Sequence, residues 1–252
     1  MTASPMITLF CIPCAGGSAS LYFPWGAALG PNVDLRVLEL PGRGRRIGEP
    51  LLQDYAQLAA LLARELSCAV AGIDTPYAIF GHSMGGLLAQ GVARRLAACQ
   101  VRAPSALLVS ACAAPAARQW SPPDDSDPAL VASLRRQGGT ADEVFDCPEL
   151  MALVLPVLRA DYRVCTSFQP EPGPLRLPVH VFGGVDDAVP AAALQAWQHE
   201  STAAVTVDWF AGGHFYLQSQ QQALMDRIAH YLARYHRHRL EESPVAEALG
   251  NA

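Results

Sequence analysis

Apolar residues along the chain follow two alternating patterns. Short continuous apolar runs bounded by Gly, Pro or polar residues are typical of strands that a sheet buries on both faces. Longer stretches repeat apolar residues at three and four positions, as amphipathic helices do. The predicted strands are ITLFCIP (7–13), DLRVLELPGRG (34–44, ending in a Pro-Gly turn), YAIF (77–80), SALLVSAC (105–112), PVHVFGG (178–184) and AVTVDWF (204–210). The predicted helices are 54–67 with Asp54 as N-cap, a helix directly after Ser83, 190–200 and 221–238.

This alternation predicts an α/β fold with a mostly parallel sheet covered by helices on both faces. Residues 115–169 interrupt the alternation of strands and helices. They contain no predicted strand, and the segment is too long for an ordinary connection between two strands. We therefore expect a helical cap inserted between two strands, with its helices interrupted at Pro148 and Pro156. The last dozen residues, EESPVAEALGNA, are expected to form a frayed tail.

The stretch YAIFGHSMGGLLAQG (77–91) passes from a predicted strand into a predicted helix with almost no room for a loop. Gly81 and Gly85 would relieve the crowding of so tight a reversal. Residues 81–85 fit G-x-S-x-G, a turn that exposes a serine hydroxyl at the carboxyl end of a sheet. Because that hydroxyl is a weak nucleophile, it needs a base within hydrogen-bond reach. Ser83 is the predicted nucleophile.

The base and the acid that orients it are expected to follow Ser83 in the chain. His214, in the glycine-bearing loop WFAGGHFYL after the last strand, is the best-placed histidine. The acid lies in VFGGVDDAVP, where two neighbours compete. The number of residues before the following predicted helix favours Asp186 as the acid. The number of residues after the start of the predicted strand at Pro178 favours Asp187. We prefer Asp187, because the strand register determines which residue clears the edge of the sheet.

The oxyanion of a tetrahedral intermediate would need two N–H donors. The N–H of Met84, just after the nucleophile, is one candidate. The loop PCAGGSAS (13–20) follows the first strand, and the N–H of Ala15 in it is the other candidate, with Gly16 and Gly17 allowing close approach. A phosphate-binding loop is the rival interpretation, but neither glycine-rich phosphate motif is present.

Composition excludes several classes of protein. A formal net charge of −5 over 252 residues, with both signs interspersed, argues against a nucleic-acid binder. No apolar run reaches the ~20 residues that span a bilayer, and the N-terminus lacks the basic region of a secretory signal. Seven scattered cysteines suggest free thiols in a reducing cytoplasm, with Cys11 and Cys14 a weak candidate redox pair. No cysteine or histidine spacing indicates a metal site.

The segments IPCAGGSASLYFPW, LELPGRGRR, FGHSMGG, LPVLRADY and FAGGHFYL occur in the order found in type II thioesterases. The chain resembles this family, the stand-alone editing hydrolases of nonribosomal peptide and polyketide assembly lines, from about residue 7 to 235. The resemblance implies an α/β-hydrolase fold with a mobile helical lid. Ser83, His214 and the Asp186/Asp187 pair match the family's triad, and Ala15 and Met84 match its oxyanion donors. The acid loop departs from the family pattern, since it is one residue short and has Ala188 where proline is common.

The resemblance also implies a reaction and its partners. The substrate would be an acyl thioester on the phosphopantetheine arm of a carrier-protein domain, in a pathway such as siderophore or antibiotic biosynthesis. Small acyl groups would be removed without a cofactor or metal, by a cytoplasmic protein that we expect to be a monomer. One alternative is a general esterase, or a thioesterase for acyl-coenzyme A or fatty-acyl carriers. Another is an inactive hydrolase fold that serves as an interaction module, against which the intact Ser83 and His214 argue.

Several arginines are candidates for contacts with a partner or with neighbouring loops. Arg43, in the PGRG turn, is expected to anchor a neighbouring loop rather than to take part in catalysis. Four arginines of the cap would either face an acidic carrier protein or belong to solvated helix faces. These are Arg135, Arg136, Arg159 and Arg163.

Overall fold

The computed structural model describes residues 6–241, which fold around a six-stranded sheet. The strands are β1 (Ile7–Ile12), β2 (Val33–Val37), β3 (Tyr77–His82), β4 (Ala106–Ser110), β5 (Val179–Gly184) and β6 (Val205–Phe210). They lie in the order β2-β1-β3-β4-β5-β6, and every neighbouring pair is parallel. Each of them falls within or overlaps a strand predicted from the apolar runs. The predicted α/β-hydrolase fold with a mostly parallel sheet is confirmed.

Helices and short 3₁₀ turns connect the strands. The helices are α1 (Trp25–Leu29), α2 (Tyr55–Ala71), α3 (Met84–Ala98), α4 (Asp127–Gln137), α5 (Asp142–Phe145), α6 (Pro148–Ser167), α7 (Ala191–Gln195), α8 (Tyr216–Ser219) and α9 (Gln221–Glu241). Asp54 caps α2 as expected, because its Oδ1 accepts a hydrogen bond from the Gln57 N–H at 2.9 Å. The predicted helix 190–200 is α7 followed by a 3₁₀ turn, Ala196–His199. Of the predicted frayed tail, residues 242–252 lie outside the described residues.

Hydrophobic cores lie on both faces of the sheet, because successive strand residues point to opposite sides. On β3, Tyr77 and Ile79 belong to the core beneath α2 and α3, whereas Ala78 and Phe80 belong to the core beneath α1 and α9. All six residues of β3 are buried. This double burial explains why the strands appear in the sequence as continuous apolar runs.

The parallel arrangement brings several loops to one edge of the sheet. Ile12 at the end of β1 pairs with Gly81 of β3, so the loops that follow these two strands start side by side. The neighbours of β1 are β2 and β3, so the strand order reverses there and leaves a crevice at the carboxyl edge. The loops after β5 and β6 emerge at the same edge, where the residues that carry chemistry are expected to meet.

Residues 115–169, here called the cap segment, contain α4, α5 and α6 and no strand. They have a hydrophobic cluster of their own, which the partly buried Ala15 of the body also contacts. The buried members of that cluster are Leu130, Leu134, Met151, Leu155, Leu158 and Tyr162.

The prediction that Pro156 interrupts a helix was wrong. α6 runs through Pro156 from Pro148, which lies in its first turn, where proline costs no hydrogen bond. Pro156 and Ala152, whose carbonyl loses its N–H partner, both lie on the exposed side of the helix. Water can satisfy that carbonyl, while the buried face of α6 holds the helix in place.

Candidate active site

Ser83 lies in a sharp turn between β3 and α3, with a φ of 54° that residues with a side chain rarely adopt. The turn closes only because two neighbours are glycines. A Cβ at Gly81 would lie 2.0 Å from the Gly85 carbonyl oxygen, and one at Gly85 would lie 2.2 Å from that of Ile12. The Ser83 N–H donates to the Ser110 carbonyl at 2.8 Å. The turn therefore holds the serine hydroxyl at the carboxyl edge of the sheet.

His214 lies in the loop between β6 and α8. Its Nε2 is 3.0 Å from the Oγ of Ser83. Gly212, with a φ of 111°, takes a conformation that glycine adopts readily and so lets the loop turn back toward α3. The imidazole side chain is only 14% exposed, so it is shielded from bulk water and still open to the serine.

Asp187 lies on the other side of the His214 ring. Its carboxylate oxygens are 3.0 and 3.1 Å from Nδ1, and its side chain is 1% exposed. The Val189 N–H also donates to this carboxylate at 3.1 Å. Asp186 is exposed and contacts the His214 loop through its backbone, since its N–H donates to the Gly212 carbonyl at 3.0 Å.

The order of these atoms sets the tautomer of the ring. A carboxylate accepts hydrogen bonds and cannot donate, so Nδ1 carries the proton that faces Asp187. Nε2 is then left with a lone pair directed at the Ser83 hydroxyl. In this tautomer the imidazole can remove a proton from the hydroxyl, and the carboxylate can stabilise the imidazolium that results.

His82 lies next to the catalytic-site candidates but points into the protein. Its Nδ1 is 2.9 Å from the Ser110 hydroxyl, which in turn is 2.6 Å from the Tyr216 hydroxyl. Complete burial, together with the nearby His214, lowers the pKa of His82 well below its usual value. His82 is therefore a neutral partner of a buried polar network.

The two predicted oxyanion donors lie on adjoining segments. The N–H of Met84 is in the first turn of α3, where helix geometry supplies no acceptor. Ala15 lies in the loop after β1, which the Gly85 contact brings against the serine turn. Within residues 6–241, neither N–H donates a hydrogen bond. Two such free N–H groups beside a serine can stabilise developing negative charge.

A cavity of about 910 Å³ opens beside Ser83 and His214. Its wall combines residues of the body, including Leu87 and Ala113, with residues of the cap segment, including Trp120 and Gln137. Asp186 and Arg136 also line it. Both apolar and polar groups line this wall, so the cavity can hold a ligand that has an apolar part and a polar part.

Comparison with known proteins agrees with this geometry. The family model described as "Thioesterase domain" matches residues 7–232. The chain belongs to the thioesterase family. It is 32% identical to the gramicidin S biosynthesis protein GrsT of Aneurinibacillus migulanus over 233 aligned residues. The alignment covers 90% of this chain and 89% of GrsT.

Two solved structures resemble this thioesterase over most of its length. The type II thioesterase BorB from the borrelidin biosynthetic cluster is 40% identical, with a TM-score of 0.81, covering 92% of this chain and 96% of BorB. The type II thioesterase YbtT of the yersiniabactin NRPS/PKS pathway is 32% identical, also with a TM-score of 0.81. The match covers 92% of this chain and 94% of the YbtT chain. The resemblance to type II thioesterases found in the sequence motifs is confirmed.

Asp161 is a buried group near the site of this thioesterase that the sequence motifs did not predict as functional. Asp161 of α6 accepts a hydrogen bond from the Gly16 N–H at 2.7 Å and pairs with Arg43. Arg43 does anchor a neighbouring loop, as expected, since it donates to the Gly17 carbonyl at 3.2 Å. The available signal was an acidic residue on the otherwise apolar face of an amphipathic helix, in LRADY.

The cap arginines are not alike. Arg159 pairs with Asp125 and Asp127 and so braces the cap internally. Arg163 pairs with Asp125 and also donates to Gln53 of the body at 2.9 Å, so it links the cap to the body. Arg135 lies over the Phe145 ring at 4.1 Å, while Arg136 faces the cavity.

The cysteines and other possible metal ligands of the described residues do not form a second reactive site. All seven cysteines are free, and burial raises the pKa of Cys14 to about 12, which keeps that thiol protonated. Within residues 6–241 no group of three or more His, Cys, Asp or Glu side chains is placed to hold a metal ion. None of the helices in this range has the length and hydrophobicity to cross a bilayer.

Proposed function

We propose that this protein hydrolyses acyl thioesters held on the phosphopantetheine arm of carrier-protein domains, with Ser83 as nucleophile, His214 as base and Asp187 as the orienting acid. One observation carries the proposal. The Ser83 hydroxyl, both nitrogens of His214 and the buried Asp187 carboxylate form a continuous chain of contacts of 3.0–3.1 Å at the mouth of the cavity.

In the acylation half-reaction, Nε2 of His214 takes the hydroxyl proton as Ser83 Oγ attacks the thioester carbonyl carbon. The carbonyl oxygen becomes an oxyanion that accepts hydrogen bonds from the N–H groups of Ala15 and Met84. Loss of one such donor costs roughly 3–4 kcal/mol of transition-state stabilisation. The carbon–sulfur bond then breaks, and the pantetheine thiol leaves with the proton from Nε2.

In the deacylation half-reaction, water occupies the space vacated by the thiol. His214 takes a proton from that water as its oxygen attacks the acyl-serine carbonyl, and the same two N–H groups stabilise the second oxyanion. The ester bond to Ser83 Oγ breaks, Oγ regains its proton and the free acid departs. The protein supplies every group in these steps, and the pantetheine belongs to the substrate.

The proposed biological role is the removal of aberrant or stalled acyl groups from nonribosomal peptide or polyketide carriers. The similarity to GrsT, BorB and YbtT, all described by their biosynthetic pathways, supports it. A cytoplasmic location and a monomeric state are part of the same proposal.

We also infer that the cap segment, residues 115–169, acts as a lid in a single α/β-hydrolase domain. Its residues Trp120 and Gln137 line the cavity beside Ser83, which supports a role in selecting the acyl group. The hydrophobic cluster of the cap packs against Ala15, so the cap also contacts the loop of one proposed oxyanion donor.

Mass spectrometry of a carrier protein tests this proposal. A carrier loaded with an acetyl-phosphopantetheine arm is incubated with wild-type protein, and the acyl-coenzyme A with the same acyl group is assayed in parallel. We expect the acetyl mass to disappear from the carrier with a catalytic efficiency at least about tenfold above that on the coenzyme A thioester. Ser83→Ala should leave the carrier loaded.

Two results would contradict the proposal in different ways. Equal catalytic efficiency on both substrates would favour a general acyl-coenzyme A thioesterase. Hydrolysis that persists at the wild-type rate in Ser83→Ala would remove the nucleophile from the mechanism altogether.

A further inference from the structure

Arg43 and Asp161 form a buried ion pair next to the loop of Ala15. The guanidinium binds the carboxylate with two hydrogen bonds, Nη1 to Oδ2 at 2.6 Å and Nη2 to Oδ1 at 2.7 Å. The side chains are 7% and 0% exposed, and 118 positions separate them in the chain. Burial raises the pKa of Asp161 above its usual range, and the hydrogen bonds from Arg43 and from the Gly16 N–H oppose that shift.

The pair joins three elements at one point. Asp161 lies on α6 of the cap segment, Arg43 lies in the loop after β2, and both reach the loop after β1. The Oδ2 atom of Asp161 accepts from the Gly16 N–H at 2.7 Å as well as from Arg43. Nη1 of Arg43 also donates to the Gly17 carbonyl at 3.2 Å. The ion pair thus holds two consecutive residues of the loop, because Asp161 binds the Gly16 N–H and Arg43 binds the Gly17 carbonyl.

The backbone of that loop explains what these contacts do. The Gly17 N–H donates to the Cys14 carbonyl at 3.0 Å, and Gly16 has a φ of 72°. A hydrogen bond between the ends of four residues and a positive φ at the third are typical of a type II turn, with Ala15 in the second position. In this turn the central peptide directs the Gly16 N–H at Asp161. A flipped central peptide would direct the Ala15 carbonyl at the carboxylate, which cannot donate a hydrogen bond.

A second contact from α6 acts on the same turn. The Leu158 side chain lies 3.3 Å from where a Cβ on Gly16 would be, and Ala15 packs against the cluster that contains Leu158. The turn is therefore held on its polar side by Asp161 and Arg43 and on its apolar side by Leu158. Glu39 completes the anchoring, since its Oε1 accepts from the Ala19 N–H at 3.0 Å.

We infer that Arg43 and Asp161 are positioning residues for the oxyanion site. By holding the turn they keep the Cys14 carbonyl on the Gly17 N–H, and this orients the Ala15 N–H of the same peptide plane toward the developing oxyanion. The inference rests on the proposed function, because it takes Ala15 as an oxyanion donor and Ser83 as the nucleophile. It adds that the C-terminal part of α6 is coupled to the catalytic geometry, so a displacement of this part of the cap would loosen the donor loop.

A purely structural role makes a different prediction. Buried ion pairs replaced by apolar residues of similar volume are often neutral for stability, whereas removal of one partner leaves a costly unpaired charge. If the pair served only the fold, the replacement Arg43→Met with Asp161→Leu would lose only the stability that the unpaired Gly16 N–H and Gly17 carbonyl cost, and the folded variant would keep its rate. If the pair positions the donor, this double variant keeps its fold and loses rate.

The experiment compares three variants with the wild-type protein on a small activated ester, p-nitrophenyl acetate, so that the result does not depend on the carrier. The first is the double variant Arg43→Met/Asp161→Leu. The second is Asp161→Asn, whose amide oxygen can still accept from the Gly16 N–H. The third is the matched control Ile228→Ala, a buried position on α9 in the core on the opposite face of the sheet, which lowers stability without touching the loop.

We expect kcat of the double variant to fall about 10- to 100-fold, less than the loss for deleting a donor outright, with KM within about twofold. Asp161→Asn should keep more of kcat than the double variant. A trifluoromethyl ketone, which forms an oxyanion on the serine, should bind each variant more weakly by the factor lost in kcat/KM. Ile228→Ala should lower the melting temperature and leave kcat and inhibitor binding unchanged.

The inference is overturned if the folded double variant keeps wild-type kcat and wild-type affinity for the ketone. It is also overturned if its loss of rate follows its loss of melting temperature as in Ile228→Ala. Ser83→Ala is assayed in parallel, so that failure of the proposed function can be distinguished from failure of the positioning role. Residual wild-type activity in Ser83→Ala would defeat the proposed function, whereas an inactive Ser83→Ala with a fully active double variant would defeat only the positioning role.

Discussion

The Nε2 atom of His214 lies 3.0 Å from the Oγ atom of Ser83, although 131 positions separate the two residues in the chain. Both residues follow parallel strands: Ser83 comes directly after β3, and His214 lies in the loop after β6. Because parallel strands end at the same edge of a sheet, the fold brings a hydroxyl and an imidazole together there. The first proton transfer of the mechanism proposed for this thioesterase takes place across that contact.

The neighbouring carboxylates Asp186 and Asp187 should differ sharply in their effect on rate. Asp187→Asn should lower kcat about 10³- to 10⁴-fold, because an amide can stabilise the wrong tautomer of His214 and cannot stabilise its charged form. Asp186→Asn, the matched control, should change kcat less than about threefold, since the side chain of Asp186 is exposed and the Nδ1 atom of the ring is hydrogen-bonded to Asp187 instead. Steady-state kinetics of both variants measure the difference. A large loss in Asp186→Asn with a small one in Asp187→Asn would transfer the role to Asp186.

The serine turn should not tolerate any side chain at Gly85. A methyl group there would lie 2.2 Å from the Ile12 carbonyl oxygen and 2.7 Å from that of Pro13, and backbone atoms cannot move aside cheaply. Gly85→Ala should therefore lower the free energy of unfolding by about 3 kcal/mol or more and displace Ser83. Gly48→Ala is the control, since a Cβ at Gly48 meets nothing within 4 Å. Urea denaturation should find Gly48→Ala within about 0.5 kcal/mol of wild type, and equal stability of the two variants would refute the steric argument.

His180 should make the protein less stable in acid. Its Nδ1 lies 2.7 Å from the Thr206 hydroxyl and its Nε2 2.6 Å from the Tyr235 hydroxyl. Burial, with smaller contributions from Arg234 and His230, lowers the pKa of His180 from 6.5 to about 4. Between these two values the unfolded chain binds a proton that the folded chain does not, so stability falls as the pH drops through this window.

Urea denaturation at pH 7 and at pH 4.5 measures this effect. The contribution of His180 to the difference in unfolding free energy is about 2 kcal/mol. His180→Gln, which cannot titrate, should lose less stability than wild type by about that amount between the two pH values. The unfolding free energy of His180→Gln will still fall between pH 7 and pH 4.5, because the lowered pKa of His82 acts in the same direction. If His180→Gln lost as much unfolding free energy as wild type between the two pH values, His180 would not be the source of the acid sensitivity.

The size of the cavity should limit the acyl group. Ala113 lines it beside Ser83, so Ala113→Leu would occupy space that a longer chain needs. We expect kcat/KM for hexanoyl substrates to fall at least about tenfold relative to acetyl substrates, since each buried CH₂ is worth about 0.8 kcal/mol. Ala56→Leu, on the exposed face of α2, should leave the ratio unchanged. If Ala113→Leu left that ratio at its wild-type value, acyl chains would have to bind elsewhere.

Local sequence patterns were enough to predict most of the secondary structure and one candidate turn. The buried strands were recognisable because both faces of the sheet are covered, which makes their sequences continuously apolar. The turn at Ser83 was recognisable because only glycine fits at Gly81 and Gly85. Pro156 was misjudged because its effect depends on which side of α6 faces solvent, and periodicity alone did not reveal that.

The sequence by itself determined the α/β class and predicted both the serine turn and His214 as the base, since these follow from short-range periodicity, turn chemistry and chain order. Tertiary structure alone decided which carboxylate faces the ring, because a shift of one residue in the loop after β5 would exchange Asp187 for Asp186. It also decided that Arg43 and Asp161 meet beneath the loop of Ala15. Contacts between residues 118 positions apart depend on how the cap packs onto the body, and no local pattern encodes that packing.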